Sequence, residues 1–180
     1  MHSMQEEIVD VVDDKDTVVG SASKSDAHIK GLLHRTVISE IIDSQGRFVL
    51  VLQSSDRQDA GQYVSPVGGH VRSGETEDEA LKREALEEAG LRDIDFHLVG
   101  KAIFNRIVLG RKENHYFIVY EILSDKQLVL NEESVSYKPF TKEELRQSII
   151  STPEKFGAAF YFVLEKFYPQ LLPDGYVTKF

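Results

Sequence analysis

The chain has 180 residues, a formal net charge of −9 and no cysteine. This length suits one well-packed domain, and an acidic balance without a basic stripe excludes a nucleic-acid polymer as partner. The missing thiol excludes disulfides, thiolate zinc sites and cysteine nucleophiles. With neither a signal peptide nor an apolar run of membrane-spanning length, the expectation is a cytoplasmic protein without a membrane partner.

In chain order, Met1-His2-Ser3 ahead of Met4 reads as a tag remnant, with residues 1–6 a disordered start. Residues 7–12 and 17–20 flank the turn cluster Asp13-Asp14-Lys15-Asp16 and predict a β-hairpin, an N-terminal extension to a single domain over residues 7–180. Residues 23–33 read as a polar connector that carries His28 and leads to His34. Two β-branched or apolar runs, 35–43 and 48–52, predict a second, buried hairpin around Ser44-Gln45-Gly46. Residues 53–62 read as a loop. Residues 63–67 then lead into Gly68-Gly69, where missing Cβ atoms allow backbone to approach a ligand closely.

A helix starts near Glu77, because Thr76 followed by Glu79 forms a capping box, and it stops at Gly90. Leu81, Ala85, Leu86 and Ala89 share one side of it for packing on a sheet. Beyond it, residues 95–99, 102–109 and 116–122 predict strands, with a turn at 110–114. Glu132-Glu133 falls in a loop, and Thr141 with Glu144 caps a second helix. Pro153 suits a first helical position, and Phe156, Phe160, Val163, Leu164 and Phe167 form a core-facing stripe on the last helix. Together these elements predict one α/β domain, a mixed sheet flanked by helices.

Glu84, Glu87 and Glu88 sit at i, i+3 and i+4 of the first predicted helix, within an arc of about 100°. Like charges at that spacing cost a few tenths of a kcal/mol per pair. A divalent cation converts the repulsion into binding, and hard oxygen ligands favour Mg²⁺ or Mn²⁺. The plainer reading is a solvated acidic face eased by Lys82 and Arg83. Against it stands the register of the surrounding residues. Gly69, Glu75, Arg83, Glu84, Glu87, Glu88, Gly90 and Leu91 fit G-x5-E-x7-R-E-U-x-E-E-x-G-U, where U is bulky and aliphatic and Ala85 is the one soft mismatch.

This pattern resembles the Nudix box. The resemblance implies a Nudix αβα sandwich with a mixed sheet, and a hydrolase that uses Mg²⁺ or Mn²⁺ to split small-molecule diphosphates. It implies Glu84, Glu87 and Glu88 as metal ligands, an Arg83–Glu75 pair that fixes the loop–helix junction, and Gly69 beside the metal–phosphate cluster. Glu113, outside the box on a loop or strand end, is the first candidate for general base, with Glu84 second. His70, Tyr63 and His115 are candidate substrate contacts, Asn114 another pocket residue, and His97 reads as surface. A homodimer is an expectation from the resemblance alone.

The stretch from EEIVDVV through HIKGLLHR to VSPVGGHVRSGE is similar to the isopentenyl-diphosphate-isomerase-like branch of that superfamily. His28 and His34 resemble two of the isomerases' metal ligands, which makes a second metal site one reading and a scaffold of hydrogen-bonded imidazoles the other. Isomerases use a cysteine and a glutamate as their acid/base pair, and Gly68 stands at the cysteine's position. Leu52 and Gln53 occupy a region where isomerases carry basic residues, and His115 replaces one of two strand glutamates. The departures favour a hydrolase over an isomerase. A nucleotide-sensing domain without catalysis is a third reading, which a degraded box would favour and this box does not.

Overall fold

The computed structural model describes residues 6–176. The expected tag remnant, Met1-His2-Ser3, lies outside the described residues. Strands β1 (Ile8–Val12) and β2 (Val18–Ser23) pair antiparallel as the alternation predicts. The turn between them is held by Asp13 Oδ1, which accepts from the N–H groups of Lys15 and Thr17, both at 2.9 Å. The presumed connector is instead a short helix, α1 (Lys24–Lys30), capped by the Ser23 hydroxyl and ended by Gly31 at φ 69. Seven residues are too few for a helical period to show, so only those caps signalled it.

Strand β3 (His34–Ile42) is the spine of a nine-stranded sheet. Along one edge it meets β1, then β6 (Val67–His70), then β4 (Phe48–Gln53), all antiparallel. Along the other it runs parallel to β8 (Arg111–Leu123), from His34 beside His115 to Ile42 beside Leu123. Gly68 and Gly69 are therefore strand residues, opposite Ile38 and Val37. A two-residue strand, β5 (Tyr63–Val64), borders β4.

Strand β7 (Asp95–Val108) is continuous through a bulge near Leu98 and Gly100 and joins β8 in a two-residue turn. The turn predicted at 110–114 is shorter than that: Leu109 and Gly110, at φ 49 and 77, close it alone, a geometry that matches the twist of the hairpin. Residues 111–115 are thereby strand, which places Glu113 and His115 on one face. Strand β9 (Ser134–Phe140), paired with β4, escaped the sequence reading because its exposed residues and Pro139 hide the alternation.

Helix α2 (Glu77–Ala89) packs on one face of the sheet against Val37, Ile41, Val67 and Ile118. Helices α3 (Lys142–Ser151) and α4 (Ala158–Phe167) cover the other, against Ile38, Leu50, Phe117 and Val119. Neighbouring residues of β3, β4 and β8 thus feed opposite cores, as the pleat requires. The molecule is the expected αβα sandwich, of the α/β class. Pro153 opens a separate 3₁₀ turn (Pro153–Lys155) rather than α4, and the aromatic stripe that follows is core. Leu86, expected to pack on the sheet, is exposed instead. The buried face of α2 runs through Ala80, Leu81, Glu84, Ala85 and Ala89, so a glutamate occupies the sheet side.

Glu40 lies fully buried on β3, and among the described residues its carboxyl accepts a hydrogen bond only from Ser65 Oγ, at 2.6 Å. Burial pushes its carboxyl from 4.5 up to about 7, with the charge of Glu121 adding to the shift. A carboxyl raised on folding stabilises the fold below its unfolded value and loses that contribution as pH rises through the folded one. Glu40→Gln is therefore expected to gain on the wild type between pH 5 and 8, by on the order of 1–3 kcal/mol in urea unfolding. A difference independent of pH would refute this.

Candidate functional site

The junction of β6 and α2 is organised by Arg83. Its Nε and Nη2 donate to the two oxygens of Glu75 at 2.8 and 2.9 Å. Nη2 also reaches the His70 carbonyl at 2.9 Å, and Nη1 the Glu84 carboxylate at 2.5 Å. Burial works against the charge of Glu75, yet the Arg83 hydrogen bonds outweigh it and hold that carboxyl below the ordinary glutamate range. Arg83 therefore ties loop, strand and helix together.

Helix α2 has the capping box at Thr76 and Glu79, and Gly90 ends it at φ 67. That rigid frame presses Glu84 and Glu88 against the two glycines of β6. The Gly68 N–H donates to Glu88 Oε2 at 2.7 Å. A Cβ on Gly69 would lie 2.0 Å from Glu84 Oε1, so the room left by the absent side chain is filled by Glu84 itself. Burial first, then the charges of Glu84 and Glu133, push the Glu88 carboxyl well above its ordinary value. Burial also raises Glu84 despite Arg83, with Glu87 adding repulsion. Buried carboxylates that repel one another suit a divalent cation, which would supply the missing positive charge.

These residues form one wall of a cleft of about 640 Å³. Lys24, Arg106, Arg111 and Glu113 also line it. Glu113 is buried on β8 with one oxygen on Arg106 Nε at 2.7 Å and the other 3.3 Å from Arg111 Nη2. Arg106 also pairs with Asp59, at 3.3 Å. Tyr63, proposed from sequence as a cleft residue, packs edge-on against Phe140, 5.2 Å between centroids, and also meets Phe156. Alternation along β5 sends Val64 to the cleft and Tyr63 into the aromatic core. Asn114 bonds the Gly31 carbonyl at 2.7 Å and so braces α1. His97 is exposed and meets Glu121 at 3.1 Å.

His28, His34, His70 and His115 converge, each offering a nitrogen within 4.8 Å of the others; all but the fully buried His34 line the cleft. The sheet accounts for three of them. His34 sits beside His115 across β3 and β8, and Thr36 beside His70 across β3 and β6; α1 supplies His28. Burial, then His34 and Arg111, pushes His28 down to about 4, and burial likewise lowers the other three, so all four rings are neutral near pH 7. Sequence reading named each histidine and paired His28 with His34. The convergence of four rested on strand register, which spacing along the chain does not carry.

Gly69→Ala is expected to destabilise the protein by about 1–3 kcal/mol, since the new methyl overlaps the buried Glu84 carboxylate. Thermal unfolding of Gly69→Ala beside Gly69→Ala/Glu84→Ala tests the cause. Recovery in the double variant locates the strain at Glu84, and none would place it elsewhere.

A NUDIX domain model matches residues 32–160. Isopentenyl-diphosphate Delta-isomerase 2 of Photorhabdus laumondii is 32% identical over 158 residues, 86% of this chain and 89% of the relative. An uncharacterized Nudix hydrolase of Streptomyces coelicolor is 42% identical over 94 residues, 49% of each chain. A Deinococcus radiodurans protein of known structure superposes with a TM-score of 0.71 at 25% identity, covering 90% of this chain and 99% of its own. Relatives of this kind carry both isomerase and hydrolase names. With the domain match spanning most of the sequence, and with Gly69, Arg83, Glu84, Glu87 and Glu88 of the box lining the cleft, this chain belongs to the Nudix family.

Proposed function

We propose that the protein is a metal-dependent hydrolase that cleaves a diphosphate linkage in a nucleoside diphosphate derivative, or a related small molecule, by attack of water on phosphorus. The packing of Glu84 and Glu88 beneath Gly68 and Gly69 in the cleft supports this reading most strongly. Glu84, Glu87 and Glu88 would hold Mg²⁺ or Mn²⁺. When bound, the metal lowers the pKa of water and offsets charge developing on phosphoryl oxygens. Lys24, Arg106 and Arg111 give the cleft positive charge for the phosphates.

Geometry redistributes the two candidates for general base. Both Glu113 oxygens are engaged by guanidinium groups, so its part in this reading is to position Arg106 and Arg111. Glu84 bonds Arg83 through Oε1, which leaves Oε2 to take the proton of the attacking water. Isomerase names among the relatives raise the other chemistry, and Gly68 argues against it. At the position where isomerases carry their cysteine, this strand offers no side chain to protonate an alkene.

A phosphate-release screen tests the proposal, with Mg²⁺ or Mn²⁺ over nucleotide sugars, dinucleoside polyphosphates, dinucleotide cofactors, nucleoside triphosphates and coenzyme A. Isopentenyl diphosphate is followed separately for conversion to its isomer. Glu88→Gln should lower kcat by more than the roughly 10–100-fold typical of losing an outer-shell partner. Full activity in that variant, or isomerisation without hydrolysis, would refute the reading. Glu84→Gln should lower kcat by roughly 10²–10⁴-fold, while Glu113→Gln acts mainly on KM. The reverse ranking returns the base role to Glu113.

A further inference from the structure

We propose that Asp59 is an internal stand-in for the substrate's phosphate: its carboxylate occupies the Arg106 guanidinium and holds the loop 54–62 at the cleft until a diphosphate displaces it. The inference rests on the reading of Arg106 and Arg111 as phosphate-binding groups, and it makes Asp59 the residue that selects which anions reach them.

Arg106 donates from Nε to Glu113 Oε2 at 2.7 Å, while Nη1 and Nη2 face the two oxygens of Asp59 at 3.3 and 3.5 Å. Two guanidinium nitrogens opposite two oxygens is the arrangement that a phosphate would also take. Beside it, Arg111 Nη2 donates to Gln58 Oε1 at 2.7 Å. Adjacent residues of one loop therefore cover both guanidinium groups, and Asp56, Arg57, Gln58 and Asp59 all line the cleft. The two arginines face two carboxylates, Glu113 and Asp59, so the seat is electrically balanced while the loop is in place.

Distance decides which carboxylate yields. A guanidinium–carboxylate hydrogen bond is ordinarily about 2.7–2.9 Å. Glu113, carried by a strand, meets that value, and Asp59, carried by a loop, does not. A phosphoryl oxygen that reaches Arg106 at the ordinary distance makes the stronger contact, so Asp59 leaves and Glu113 stays. A singly charged ligand exchanges one anion for another and must still offset the entropy of association. A diphosphate engages Arg111 as well and so displaces the loop. With no anion present the loop stays closed, because the Asp59 and Arg106 side chains are each only 13% exposed and solvent screens their attraction poorly.

The loop is built to move as a unit. At its neck the Gly61 N–H donates to the Gln53 carbonyl at 3.1 Å and the Gln53 N–H to the Gln62 carbonyl at 2.9 Å, which pins the two ends together. None of residues 54–62 belongs to either hydrophobic core. Besides Gln58 and Asp59, Arg57 meets Glu133 at 3.3 Å, the Ser54 N–H donates to the Glu133 carbonyl at 2.9 Å, and Gln62 Nε2 donates to the Glu154 carbonyl at 2.9 Å. An incoming anion and water can replace polar contacts of this kind, whereas buried apolar packing would resist displacement.

The test uses the full chain with Ala60→Cys, an exposed loop position, carrying an environment-sensitive dye that attaches there alone because the chain has no cysteine of its own. Inorganic pyrophosphate with Mg²⁺ should shift the dye's emission saturably, and the same concentration of acetate should not. Asp59→Asn, nearly isosteric, should show the shifted emission before any anion is added and bind pyrophosphate at least about 5-fold tighter. Asp56→Asn removes the same charge from an exposed site in the same loop and should change the affinity far less. Equal affinities with and without Asp59, equal gains in the two Asn variants, an acetate response like that to pyrophosphate, or no pyrophosphate binding to any of these proteins would overturn the proposal. The titration reads binding rather than turnover. Displacement of the loop by pyrophosphate, with no diphosphate hydrolysed in the release screen, would therefore sink the hydrolase reading alone.

Discussion

One guanidinium group holds the functional end of this molecule together. Arg83 lies on the helix, Glu75 in the loop before it and His70 at the end of the strand, and all three meet through the donors of Arg83. Because the fork of Arg83 is planar, engaging both Glu75 oxygens fixes its orientation as well as its place. The remaining donor reaches Glu84 and sets that carboxylate over Gly69. A lysine would keep the charge and lose the geometry. Loop, strand and helix therefore move as one piece, and the acidic wall of the cleft comes ready-made.

The other organising part is β3. Its length lets it pair with four strands, so side chains far apart in sequence fall into register beside it. Two chemically different clusters arise in this way. Carboxylates gather where α2 meets β6, and imidazoles where α1, β3, β6 and β8 meet.

How much of this the sequence revealed depends on how local each feature is. The box helix was legible from end to end, because Thr76, Glu79 and Gly90 act within a turn or two of the backbone they cap. Its buried face was misread at Leu86, since hydrophobic patterning does not anticipate a glutamate packed beneath glycines. Strand β9 and helix α1 were missed for opposite reasons, one lacking alternation and the other lacking length. The hairpin turn was misjudged because Leu109 adopts a left-handed conformation that its residue type does not advertise. For the histidines, residue identity was visible and convergence was not. The parallel pairing of β3 with β8 spans some eighty residues and leaves no local trace.

The account's central claim is that the glutamates packed beneath Gly68 and Gly69 hold a divalent cation in the cleft. Anomalous diffraction from crystals grown with excess Mn²⁺, collected on either side of the manganese absorption edge, addresses it directly. The account predicts a manganese peak against Glu84 and Glu88. Manganese bound elsewhere in the molecule, with nothing at these glutamates, would contradict it.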